Sequence, residues 1–222
     1  MQIGSVKEAL EVVSAVQPDV LIVQGTDAGG HGLVQGAGLI ALLPEVSDTV
    51  EELCKQRSIK IPVFIAAGGI AEGRGAAAAI ALGAEGVAMG TRFLASPEAS
   101  IAKGYRDEVL RATDGGQTTI RTKLYDSLRG TTGWPVTHNG RGVINRSFQD
   151  AMDGMSLEDN KKLYNQEMEK GDEGWGVQAR MTTYAGSAVG LVREIKSSGE
   201  IVREVRDVVT NILGRLKNEV KV

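Results

Sequence analysis

The stretch "DVLIVQGTDAGGHG", Asp19 to Gly32, ends in a glycine pair followed by His31, one of two histidines in the chain. An imidazole titrates near neutrality, so His31 can take or give a proton as a general acid or base. Gly29 and Gly30 beside it leave room for a flat ligand close to the backbone. His138, in "PVTHNGRG", reads as a surface residue of a polar turn. The two histidines and the single Cys54 are widely spaced and make no metal-ligand cluster.

Two further loops look alike. "AAGGI", Ala66 to Ile70, and "AMGTRF", Ala88 to Phe93, each follow an apolar run. Glycines at the C-terminal ends of consecutive parallel strands let backbone N–H groups point at an anion. In barrels the last two strands' loops commonly hold a phosphate. That makes Gly68, Gly69, Gly90 and Thr91, whose hydroxyl can donate, candidate phosphate ligands rather than only tight turns. Gly73 to Ala78 matches the dinucleotide fingerprint GxGxxA, but its context fails. The preceding strand ends near Ala67, and no acidic residue ends the following strand. Gln24 ends the strand before the His31 loop and points towards the same catalytic face. Asp27 reads as a turn former. Arg92 can serve a phosphate or pair with a surface carboxylate. Trp134 and Trp175 read as packing residues, and Cys54 as a small helix residue.

These groups need elements to position them. Ser5 to Val16 reads as a helix capped by Ser5, with Val6, Ala9, Leu10 and Val13 as its apolar stripe. Strands are expected at Asp19–Gln24, Ile61–Ala67 and Glu85–Met89. Helices are expected at Ser47–Arg57 with Ser47 as cap, at Arg74–Leu82 with Gly83 as C-cap, and at Ser96–Ala112 with Pro97 first in the helix. The alternation implies a parallel sheet with right-handed crossovers. After residue 113 turn-rich segments dominate. A polar helix is expected at Leu157–Lys170, and a long amphipathic one, or two shorter, from Leu191 to about Val220. The expected division is 1–112, a partial (β/α)8 barrel, and 113–222, a mainly helical and loop region.

The bulk numbers bound the rest. The chain has 222 residues, 42% of them hydrophobic and only 4% aromatic, so its core is aliphatic. A net charge of −3 without a basic stripe excludes an electrostatic case for nucleic-acid binding. One cysteine cannot form an internal disulfide and suits a reducing compartment. The N-terminus MQIGSVKEAL lacks the apolar core of a signal peptide, and no apolar run reaches the roughly 18 residues of a membrane span. A cytoplasmic protein without membrane partners is the expectation.

Together "VQGTDAGGHG" and "IPVFIAAGGIAEGRGAAAAIALGAEGVAMGTRFLASPEA" resemble the nitronate monooxygenases, once called 2-nitropropane dioxygenases. "IRTKLYDSLRGTTGWP" and "AGSAVGLVREIKSSGEIVREV" are similar to the C-terminal half of that family. The resemblance implies the C-terminal portion of an FMN-type (β/α)8 barrel, about its last three parallel strands, with a mainly helical region after them. It implies FMN as cofactor, O2 and a nitronate or nitroalkane as substrates, and His31 as catalytic base. Gly68, Gly69, Gly90 and Thr91 would hold the FMN phosphate, and Gln24, Gly29 and Gly30 would line the flavin. Family members begin with a first half that has no counterpart here, so open strand edges favour self-association. Two other readings share these motifs. One is an FMN-dependent enoyl-acyl-carrier-protein reductase, whose family has a similar glycine-glycine-histidine loop. The other is a non-catalytic fragment of a flavin barrel.

Overall fold

The computed structural model describes residues 1–219. In chain order come β1 (Gln2–Ile3), α1 (Val6–Val16), β2 (Val20–Gln24), β3 (Gly30–Leu33), α2 (Leu39–Arg57), β4 (Val63–Ala67), α3 (Gly73–Ala81) and β5 (Gly86–Ala88). Then follow α4 (Thr91–Leu94), α5 (Lys103–Arg111), α6 (Gly115–Thr118), β6 (Thr119–Thr122) and α7 (Leu124–Arg129). The chain ends with β7 (His138–Val143), α8 (Arg146–Met152), α9 (Leu157–Met168), two short 3-10 turns and α10 (Ser198–Glu219).

These elements form two compact units, neither of them continuous in sequence. The first takes residues 1–27, 35–89 and the chain from Ser197 onward. It carries a parallel sheet in the order β1-β2-β4-β5. Leu21 and Val23 of β2 and Phe64 and Ala66 of β4 alternate into its core, as period-2 side chains must. The strand β1 adds a fourth member to the three strands expected. Ser5 caps α1 as expected, its hydroxyl accepting from the Glu8 N–H at 3.2 Å. Ala9 and Val13 are buried along the apolar stripe of α1.

The starts of α2 and α5 differ from expectation. The helix expected from Ser47 begins at Leu39 and carries Pro44 inside it. Proline removes one backbone donor and is tolerated best near a helix start. Here Leu39, Leu42, Leu43, Val46, Val50 and Cys54 bury one continuous stripe, and that burial outweighs the lost bond. Ser47 is therefore no cap; its hydroxyl donates to the Pro44 carbonyl at 3.0 Å. The helix expected from Ser96 starts only at Lys103, after a run of turns, and the short α4 follows β5 directly. In α3 the cap is Glu72, whose carboxylate accepts from the Gly75 N–H. Gly83 follows the helix at φ +103, the conformation expected of a glycine stop.

The first unit also explains the GxGxxA segment. A Cβ on Gly73 would stand 2.4 Å from the Val208 side chain, so this glycine lets α3 and α10 meet closely. The helix α10 starts at Ser198 rather than near Leu191, and Val220 lies outside the described residues.

The second unit takes Ala28–Val34 and Gly90–Lys196. The region after 113 is not only helices and loops. It contributes β6 and β7 to an antiparallel sheet in the order β3-β7-β6. Its strands are short and rich in Gly, Arg and Thr, so they lack the apolar alternation that marks a strand in sequence. Buried polar side chains hold the unit together. Asn145 donates to the Arg180 and Met181 carbonyls at 2.9 and 3.0 Å, and Arg180 pairs with the buried Asp150. Tyr125, fully buried, donates to the Val143 carbonyl at 2.6 Å. The helix α9 ends at Met168, two residues short of expectation.

Candidate functional site

His31 lies in β3, not on an open loop, and stands opposite Gly140 of β7 in the antiparallel register. Its Nε2 is 2.8 Å from Oδ1 of Asp126, a carboxylate that is 4% exposed. Tyr184 donates its hydroxyl to the same Oδ1 at 2.8 Å, and Thr131 donates to it at 3.2 Å. The Trp134 indole stacks on the imidazole with ring centroids 3.9 Å apart and planes 7° from parallel. The Tyr184 ring stands 5.3 Å from it, tilted by 56°. The Arg129 guanidinium lies 5.3 Å from the Tyr184 ring centre. Burial first, and then the Asp126 carboxylate, push the Tyr184 phenol well above its ordinary value. Tyr184 therefore remains a hydrogen-bond donor across the whole neutral range.

Local sequence explains why these side chains converge. Asp126 sits on the one-turn helix α7, which Gly130 ends at φ +75, a left-handed conformation suited to glycine. The chain folds back there, and the Thr131 N–H donates to the Asp126 carbonyl at 2.9 Å. The fold-back brings the Thr131 hydroxyl to the Asp126 carboxylate. It also carries Trp134 onto His31. Gly140 makes space on the other side: a Cβ there would stand 2.6 Å from the Tyr184 ring. Gly29 is needed for a different reason, since its Cβ would stand 2.4 Å from the Gly186 nitrogen. Beside Gly30, at φ +69, no atom of the described residues lies within 4 Å of a Cβ position.

The other expected site residues fall as follows. Gly68 and Gly69 end β4 in the first unit, both at positive φ, +92 and +74. Asp27 packs under Gly69, with its Cβ 2.9 Å from where a Gly69 Cβ would stand. Gln24 ends β2 in the same unit and accepts from Gln2 at 3.1 Å. Gly90 and Thr91 belong to the second unit, at the start of α4. Open space surrounds Gly90 among the described residues. The Thr91 Oγ1 accepts from the Gly186 N–H at 2.9 Å, which leaves its own O–H to donate.

Three readings change. Arg92 serves no surface carboxylate: it is buried and donates to the Glu194 carbonyl at 3.1 Å. Trp134 is half exposed and stacks on His31 instead of filling a core. His138 opens β7, half-buried, with Trp134 6.3 Å away. Trp175 packs as expected, donating to the Thr182 carbonyl at 3.3 Å. Asp126, Thr131 and Tyr184 were not singled out by sequence. They stand 95, 100 and 153 positions from His31 and form no local motif. The one available signal was the short polar stretch Gly130 to Gly133, which marks a turn next to Asp126 and Thr131.

A parallel β/α sheet with glycine-rich turns at its strand ends is shared by (β/α)8 barrels and open doubly wound sheets. The chain belongs to the nitronate monooxygenase family, whose model matches residues 1–207. It is 53% identical over 215 residues to a protein named nitronate monooxygenase npaC from Metarhizium robertsii, covering 96% of this chain and 58% of that one. It is 40% identical over 206 residues to a nitronate monooxygenase from Neurospora crassa, covering 93% of this chain and 52% of that one. Among solved structures it is similar to FabK from Thermotoga maritima, with a TM-score of 0.73 and 28% identity, over 99% of this chain and 63% of that one. The chain thus spans a little over half the length of the curated relatives it matches. The family is flavin-dependent in general. Among the described residues no helix is long and apolar enough to cross a membrane.

Proposed function

We propose that the chain takes part in the FMN-dependent oxidation of alkyl nitronates and nitroalkanes by O2, with His31 as the proton-transfer residue. The observation that carries this reading is His31 itself. It is held by a buried carboxylate and an indole face, beside the open backbone of Gly30. A base for carbon acids needs that fixed aim, and the family supplies the substrate class.

Each unit, taken by itself, offers groups that suit an anion. Gly68 and Gly69 offer consecutive left-handed glycines at a strand end, a turn whose N–H groups suit an anion. Gly90 leaves open space over its backbone, and Thr91 has a hydroxyl proton to donate. Gln24, Gly29 and Gly30 are assigned to the flavin on the family resemblance. A bound FMN supplies the electron acceptor and the reaction with O2. The chain's own part is proton transfer and placement. His31 takes the proton from the carbon bearing the nitro group. Asp126 stabilises the imidazolium that results. Trp134 shields one imidazole face from water.

The test is oxygen consumption by the FMN-loaded full chain with a small primary nitroalkane. Uptake that needs both flavin and nitroalkane is expected. NAD(P)H oxidation driven by an enoyl thioester, without nitroalkane turnover, would favour the enoyl reductase reading. A folded chain that retains no FMN would favour the non-catalytic one.

A further inference from the structure

Both tryptophans and all four tyrosines of the chain lie in the second unit. The tyrosine hydroxyls differ in what they rest on. Tyr105 donates to the Tyr184 carbonyl at 2.8 Å, Tyr125 to the Val143 carbonyl at 2.6 Å and Tyr164 to the Thr182 hydroxyl at 3.3 Å. Those are neutral oxygens, poor holders of a transferred proton. Among the described residues only Tyr184 donates its hydroxyl to a carboxylate, Asp126 Oδ1 at 2.8 Å. Ring contacts connect this phenol to solvent. The Tyr184 ring is 5.3 Å from the His31 imidazole, and the imidazole stacks at 3.9 Å on the Trp134 indole, which is 44% exposed. Indole and phenol are among the side chains that give up one electron most readily. We propose that Trp134 and Tyr184 form a one-electron relay that reduces strong oxidants of the radical class, with Asp126 as its proton acceptor.

The step balances within the second unit. The oxidant takes one electron from Trp134 and leaves an indole radical cation. Tyr184 returns one electron to Trp134 and passes its hydroxyl proton to Asp126 Oδ1. The products are a neutral indole, a neutral phenoxyl radical and a protonated carboxyl group. Charge requires the proton to leave with the electron. The Arg129 guanidinium, 5.3 Å from the centre of the Tyr184 ring, disfavours a phenol radical cation, and the buried carboxylate draws the proton away. A soluble one-electron reductant such as ascorbate then returns the electron, and Asp126 returns the proton. The oxidising equivalent is held on a recoverable phenoxyl instead of destroying the indole. The relay is separate from nitroalkane oxidation and needs no flavin.

Laser flash photolysis of the flavin-free full chain tests it, with tris(bipyridine)ruthenium as photosensitiser and a pentaamminecobalt complex as sacrificial quencher. In the wild-type chain the indole radical band should decay as the tyrosyl band rises, at a shared rate. That rate should fall in D2O, because a proton moves with the electron. Tyr184→Phe should lose the tyrosyl band and lengthen the life of the indole radical. Trp134→Phe, which keeps a ring on His31, should lose most of the tyrosyl band. Asp126→Asn should slow its rise, since an amide accepts the hydrogen bond but does not take the proton. An indole radical that decays in the wild-type chain without any tyrosyl band would overturn the relay, whatever the variants do. Wild-type tyrosyl yield in either Phe variant would overturn it as well. A wild-type rise at equal rates in H2O and D2O would overturn the part given to Asp126.

Discussion

At the scale of single residues, the second unit stores its polarity in buried tyrosines and carboxylates. Burial pushes the Tyr105 phenol up to about 12, and burial likewise raises Tyr125 and Tyr184 well above the ordinary range. A phenol that stays neutral in the folded chain but ionises near pH 10 when unfolded binds more protons in the folded state above that pH. Its contribution to stability is therefore complete below about pH 10 and is lost as pH rises from there towards 12. Urea midpoints should hold up to pH 9 and fall steeply by pH 11. Absorbance at the tyrosinate band should lag the ordinary phenol titration for these three residues. Full tyrosinate absorbance by pH 10.5 in a folded chain would contradict this. Trp134 offers a second residue-scale prediction. Trp134→Ala should leave the fold intact, because the indole is half exposed, and lower turnover by releasing the His31 ring. Turnover equal to wild type would show that the stack does not hold the His31 ring for catalysis. Cys54 stays inert: burial pushes its thiol up, and it is a packed helix residue as its sequence context suggests.

At the scale of elements, glycine contacts carry the sharpest tests. Gly140→Ala would press a Cβ within 2.6 Å of the Tyr184 ring. It should destabilise the unit by about 1–3 kcal/mol and weaken the Asp126 network with it. Unchanged stability and turnover would show that the ring can yield. Gly69→Val places a branched side chain at φ +74 against Asp27, and should abolish flavin retention. Retained FMN would take Gly69 out of the phosphate site. The parallel sheet was legible in sequence because its strands are apolar and its helices capped; Ser5 and the Leu21, Val23 pair of β2 are examples. The start of α2 was not legible, because Pro44 is a strong local stop signal that an apolar stripe overrode. The antiparallel sheet was not legible either. Strands such as "HNGRGV" gain their burial from residues distant in sequence, Tyr184 over Gly140 among them. His31 and the glycine turns were readable as local motifs, whereas Asp126, Thr131 and Tyr184 become visible only once β3, α7 and the segment around Tyr184 are folded together.

At the scale of the whole molecule, the chain belongs to the nitronate monooxygenase family, and the side chains around His31 and Asp126 are assembled within one unit. The role proposed for His31 is the proton transfer of a flavin-dependent nitroalkane oxidation. Its most direct test compares oxygen consumption by the FMN-loaded wild-type chain and His31→Asn, with flavin content measured on the same samples. Equal flavin content is expected, with a loss of nitroalkane-dependent uptake of about 10²–10⁴-fold in the variant. Equal uptake by the two proteins at equal flavin content would contradict it.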